Sequence, residues 1–266
     1  RFLNAMLKHH DRKQFEILVY GYTETGNPPP KSLFDQADGW SNIEDMSIDL
    51  VAEQMRRDRV DILLHPCTFK ARYRTLIAYN AAPVQIACIN LVSTTGLRST
   101  SHLVTDSFLS PPGEIEGFYT ENLIRLSGFN VYQKPERAPD VAPLPATYNG
   151  YVVFGSFNNP AKFTPECVSL WTDLLQTIPS SRLFLKNRSF ENSEICQRFS
   201  LQFRKAGISG NRLIFHGLTR DKYKYLDFYN QIDMALDPTP FGGGTTTYES
   251  TWMGVPVLTL VGDTMM

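Results

Sequence analysis

Cysteine is scarce and scattered: Cys67, Cys88, Cys167 and Cys196 form no C-x-x-C pair. That spacing suggests neither a zinc site nor a disulfide framework, so a reducing, cytoplasmic setting is expected. An excess of one charge is also lacking. Twenty-six Lys and Arg against 27 Asp and Glu leave a formal net charge of -1, which gives no electrostatic footprint for nucleic acid or anionic lipid. No apolar run approaches the roughly 20 residues that a membrane span requires, and no signal-peptide pattern opens the chain. The five histidines do not cluster. His9 and His10 fit a solvated helix end, while His65, His102 and His216 fall at strand ends, where structural roles are expected.

What is present is a globular composition. With 42% hydrophobic and 20% charged residues, a chain of 266 can bury the cores of two ordinary domains. Strand and helix patterns alternate, the signature of a parallel sheet covered on both faces. Residues 1–10 read as a helix and 15–20 as a strand, 23–30 as a proline-bearing loop, 47–59 as a helix capped by Ser47, and 60–64 as a buried strand. A helix over 71–79 and strands at 84–89 and 103–105 follow, with Ser93-Thr94-Thr95-Gly96 as a polar loop at a strand's C-terminal end. Because a doubly wound domain ordinarily opens on a strand and a ligand-binding loop, upstream sequence is expected to precede this chain. The pattern fails among Pro135, Pro139, Pro143 and Pro145. The expected division is therefore an N-terminal Rossmann-like domain over 1–133, a linker over 134–147 and a second Rossmann-like domain over 148–266, with a cleft between them as the binding site.

The second domain repeats the alternation: a strand at 151–154, the loop 155–162, and a helix with Thr164 as N-cap and Pro165 in its first turn. A strand at 182–186, a helix ending at Gly207, a strand at 213–216 and a helix over 221–230 lead to Asp237–Gly254, D-P-T-P-F-G-G-G-T-T-T-Y-E-S-T-W-M-G. An apolar run at 232–236 is stopped by prolines. Gly242, Gly243 and Gly244 then permit positive φ and close ligand approach, and one of Thr245, Thr246 or Thr247 is expected to cap the helix that follows. Gly254 ends that helix before a strand at 255–261. A helix start entered through glycines gathers unpaired N–H groups and the positive end of the dipole where a phosphate can sit. Glu249, one turn in, is placed for ribose hydroxyls, and Lys162 can neutralise a diphosphate reached from the same turn. An ordinary glycine-rich turn and a solvent-facing lysine satisfy the same local patterns.

Written out, F-G-S-F-N-N-P-A-K-F-T-P and the Asp237–Gly254 stretch resemble the catalytic region of the O-linked N-acetylglucosaminyltransferase and SPINDLY-type family, most of all bacterial members carrying tetratricopeptide repeats. Asp61-Ile62-Leu63-Leu64, Ala82-Pro83-Val84-Gln85, Thr94-Thr95-Gly96-Leu97 and Thr105-Asp106 extend the resemblance over nearly the whole chain. It implies a GT-B-like α/β fold and an inverting transfer of sugar from a nucleotide sugar, UDP-N-acetylglucosamine or GDP-fucose, to a protein Ser/Thr hydroxyl. It also implies no other cofactor and possible upstream helical repeats. By the same resemblance Lys162 contacts the donor diphosphate, Asn159 reaches the donor, and Thr245 and Thr246 cradle phosphate. Glu249 holds the ribose, and Tyr225 and Lys222 meet the nucleoside. No D-x-D pair lies near these loops, so no metal is expected. The acceptor half departs from the family: Leu64-His65-Pro66-Cys67-Thr68 replaces its G-H-T or G-Y-T, Asn90-Leu91-Val92 its G-Y-P, and Gly244 stands where a histidine can occur. A nucleotide-sugar epimerase, a small-molecule glycosyltransferase and a non-catalytic nucleotide-sugar-binding or partner-binding module remain compatible with these residues.

Overall fold

A crossover connection, helical or not, that returns the chain to the same end of a sheet gives parallel pairing. In the computed structural model every strand pair among the described residues is parallel. The structure describes residues 2–21, 35–66, 71–88, 93–128, 132 and 137–262. The expected loop at 23–30, together with Cys67, Thr68, Asn90, Leu91 and Val92, lies outside the described residues. The chain divides into two compact units, Arg1–Gln133 and Lys134–Thr264. None of the described helices is long and apolar enough to cross a membrane.

The first unit runs α1 (Phe2–His9), β1 (Leu18–Gly21), β2 (Gly39–Asn42), α2 (Ile48–Arg57), β3 (Ile62–His65), α3 (Ala71–Ala78), β4 (Val84–Ala87), β5 (His102–Asp106) and β6 (Asn122–Leu126). Its strands form a pair, β1-β2, and a four-stranded sheet ordered β3-β4-β5-β6. Ser47 caps α2 as expected, accepting a bond from the Leu50 N–H at 3.4 Å, and Val51, Ala52 and Met55 face inward against Ile43 and Leu76. The polar loop after β4 is held by a buried carboxylate. Glu121 accepts from the Thr95 N–H and the Thr94 hydroxyl, both at 2.8 Å, and from the Thr95 hydroxyl. Burial alone would raise the Glu121 carboxyl, but these bonds hold it below its usual value.

The second unit runs α4 (Ala146–Asn149), β7 (Val153–Ser156), α5 (Pro165–Thr177), β8 (Arg182–Lys186), α6 (Ser193–Lys205), β9 (Leu213–His216), α7 (Lys222–Asp227), β10 (Met234–Leu236), α8 (Thr245–Trp252) and β11 (Val257–Leu258). Its sheet is ordered β11-β10-β7-β8-β9. The chain starts in the middle at β7, winds outward to β9, and returns to the other flank at β10. Helices therefore lie on both faces, one covering a core of Trp171, Leu175, Leu183, Phe199 and Phe203, the other a core of Phe157, Phe184, Leu226, Tyr229 and Ile232. Gly155 in β7 leaves room for Ile232, whose Cδ1 would lie 2.6 Å from an added Cβ.

Residues 138–149, proline-rich in sequence, belong to the second unit and are hydrogen-bonded to the rest of it. Asp233 accepts the Ala146 and Val153 N–H groups, both at 2.7 Å, and the Ala142 N–H reaches Asn230 at 2.9 Å. Thr164 caps α5 through the Cys167 N–H at 3.2 Å, and its hydroxyl donates to the Thr239 carbonyl at 3.2 Å. Thr164→Ala should cost about 1 kcal/mol, typical of a lost N-cap, read as a lower denaturant midpoint at unchanged slope.

Candidate functional site

In an open α/β sheet the crevice for a ligand forms where the winding reverses, outside the C-terminal ends of the two strands flanking the reversal. Here those strands are β7 and β10, paired Met234 to Phe154 and Ala235 to Gly155. The loop carrying Lys162 follows β7, and the glycine and threonine turn follows β10, so the two sequence-expected loops leave neighbouring strands at the same end.

They are joined there by side chains. Lys162 Nζ donates to the Gly242 carbonyl at 2.6 Å and to Asn158 Oδ1 at 3.4 Å, and stands 4.5 Å from the centre of the Phe241 ring. Asn158 Oδ1 also accepts the Thr246 hydroxyl at 3.2 Å, so its amide spans both loops. Burial lowers the Lys162 pKa from its ordinary value, opposed by the negative charge of Asp237. Burial raises the Asp237 carboxyl, opposed by the Gly243 N–H bond and the Lys162 charge. An ammonium with two engaged donors has a third to offer.

The turn differs from its expected geometry in two respects. Gly244, at φ -120° and ψ -90°, is the N-cap, and α8 begins at Thr245, so none of the three threonines caps it. The Thr246 hydroxyl is drawn instead to Asn158. Neither Gly243 nor Gly244 has positive φ. Gly243 is required by close approach: an added Cβ would meet Thr247 Oγ1 at 2.5 Å, Asp237 Oδ1 at 2.6 Å and Thr246 Oγ1 at 2.8 Å. The first bonds to the N-cap carbonyl come from Thr247 and Tyr248 at 3.0 and 3.2 Å, leaving the Thr245 and Thr246 N–H groups ahead of them at the positive end of the helix.

The other expected residues are placed as follows. Asn159 is exposed and caps the short 3₁₀ turn after β7, accepting the Ala161 N–H at 3.1 Å; Asn158, which sequence reasoning passed over, is the one that joins the loops. Glu249 is 4% exposed and accepts the Tyr229 hydroxyl at 3.3 Å. Tyr225 packs edge-on against Phe157 and Tyr229, with ring centres 6.3 and 6.1 Å away. Lys222 opens α7, but its side chain lies outside the described residues. The arrangement combines one half-buried ammonium, a helix start and an aromatic cluster at one sheet end, a set suited to a phosphate attached to a flat ring.

Residues 144–266 match Glycosyl transferase family 41. Over 268 aligned residues, 98% of this chain, it is 33% identical to the probable UDP-N-acetylglucosamine–peptide N-acetylglucosaminyltransferase SPINDLY of Arabidopsis thaliana, and it is 26% identical over 97% of its length to the SEC protein of that species. It spans about 29% of the length of the SPINDLY relative. A lysine-to-methionine mutant of Thermobaculum terrenum O-GlcNAc transferase superposes with a TM-score of 0.90 at 33% identity, covering 99% of this chain and 50% of that one. Anabaena HepE, solved with UDP and glucose, shares the fold at a TM-score of 0.51 and 15% identity, over 96% of this chain and 74% of its own. The parallel α/β units are those of a GT-B glycosyltransferase. The chain thus belongs to the O-linked N-acetylglucosaminyltransferase and SPINDLY-type family, and residues 144–266 are its family 41 glycosyltransferase domain.

Proposed function

We propose that the protein transfers a sugar, N-acetylglucosamine from UDP or fucose from GDP, to a serine or threonine hydroxyl of a protein acceptor, with inversion at the anomeric carbon. The observation that carries this reading is the Lys162 ammonium, 2.6 Å from the Gly242 carbonyl at the mouth of the turn. As the bond between the sugar and the diphosphate breaks, negative charge grows on the leaving phosphate. Groups already aimed at that place lower the barrier because they bind the transition state more tightly than the ground state. Lys162 and the Thr245 and Thr246 amides supply them, so the reaction proceeds without a metal. Glu249, oriented by Tyr229, takes the ribose, and Tyr225 belongs to the nucleoside side. Asn159, exposed beside Asn158, reaches the donor. The free thiols of Cys88, Cys167 and Cys196 support a reducing, cytoplasmic setting for this reaction.

Two measurements test it. UDP and GDP are compared at one equal concentration: the nucleotide that raises the thermal midpoint more identifies the donor, and once its concentration reaches about 100 times its dissociation constant the gain should be roughly 2.7 kcal/mol. Incubation of that donor with acceptor peptides in the presence of EDTA should give glycosylated peptide of inverted anomeric configuration. No midpoint change with either nucleotide would remove the donor site, and binding without transfer would make the protein a non-catalytic binding module.

A further inference from the structure

Lys186, the last residue of β8, is 1% exposed. An ammonium out of water is costly unless its hydrogens all find acceptors. Here Nζ donates to the Thr219 hydroxyl at 2.8 Å and the Gly217 carbonyl at 3.0 Å, with His216 Nδ1 3.4 Å away, and it lies 4.3 Å from the centre of the Phe228 ring and 5.2 Å from that of Tyr225. No carboxylate among the described residues forms an ion pair with it. The charge therefore ties the loop after β9 to the end of β8 and sits against two aromatic rings. Tyr225 packs on Tyr229, whose hydroxyl reaches Glu249, so the same cluster runs on to the start of α8. All of this lies at the C-terminal ends of the strands, the end that carries Lys162.

We infer that Lys186 is a positioning residue for the nucleoside half of the donor: it fixes the 217–219 loop and the Tyr225 ring as the surface on which the base is laid. The inference rests on the proposed donor reading. Its role is separate from that of Lys162, which serves the phosphates.

The test compares wild type with Lys186→Met, similar in length and uncharged, and with Thr219→Val, which keeps the charge and removes one acceptor. The probes are UDP, GDP and inorganic pyrophosphate in calorimetric titrations, together with donor KM and kcat. Lys186→Met should weaken binding of the nucleotide that wild type prefers by about tenfold, the worth of one charge-assisted bond, and raise KM with kcat nearly unchanged. Pyrophosphate binding should not change. Thr219→Val should show the same selectivity at smaller size, and it decides the matter if Lys186→Met does not fold. Equal weakening of nucleotide and pyrophosphate, or a loss in kcat alone, would overturn the role given to Lys186. Wild type binding neither nucleotide would instead overturn the donor reading beneath it.

Discussion

Lys162→Ala should lower the rate of sugar transfer by at least about 10²-fold, the loss seen when one preplaced donor to a developing anion is removed. The substitution deletes the ammonium bonded to Gly242 and Asn158, and Lys162 is not a member of either apolar core. The protein should therefore unfold at nearly the wild-type denaturant concentration while transferring sugar slowly. A pH profile adds an independent check on the same group. In the proposed reaction the charged form is the active one, so activity should be lost as pH rises through the Lys162 pKa, and burial has moved that pKa below its ordinary 10.5. Bound diphosphate, being negative, favours the charged form and moves it back up. The alkaline limb of kcat/KM should thus fall at lower pH than that of kcat. A Lys162→Ala protein that transfers at the wild-type rate, or alkaline limbs that coincide, would show that this ammonium does not meet the leaving group.

The parts of this fold that could be read from sequence are those whose signals are local. Ser47 and Thr164 cap α2 and α5 as expected, because a cap is a matter of one side chain and the N–H three residues on. Strands β2 and β6 carry no such local signal: Gly-Trp-Ser-Asn and Asn-Leu-Ile-Arg-Leu are short, and β6 alternates exposed and half-buried positions, so neither makes an apolar run. Lys162 and the turn were legible because glycine, threonine and lysine stand close together in two motifs. Which of two adjacent asparagines joins them was not, since that depends on the turn 88 residues away meeting Asn158. Lys186 read as the polar end of a strand. Its burial is decided by Gly217, Thr219 and Phe228, which no local pattern connects to it.

Gly243→Val should weaken binding of the preferred nucleoside diphosphate by roughly 10²-fold or more, whereas Gly244→Ala, one residue along, should leave it near wild type. The contrast follows from what each side chain would meet. A Cβ on Gly243 falls within 2.8 Å of Asp237 Oδ1 and of the Thr246 and Thr247 hydroxyls, while one on Gly244 meets nothing within 4 Å. The valine must push the turn away from β10, breaking the bond from the Gly243 N–H to Asp237 at 3.0 Å and turning the Thr245 and Thr246 amides off the place proposed for the phosphate. Overpacking of this kind costs about 1–3 kcal/mol of stability, so the fold should survive. Two charge-assisted bonds at about 1.5–3 kcal/mol each, with 1.4 kcal/mol to each tenfold, account for the loss of affinity. The open space at Gly244 also fits the occurrence of histidine there in the resembled family. Should Gly243→Val bind nucleotide as wild type does while Gly244→Ala fails, phosphate does not sit at this helix start.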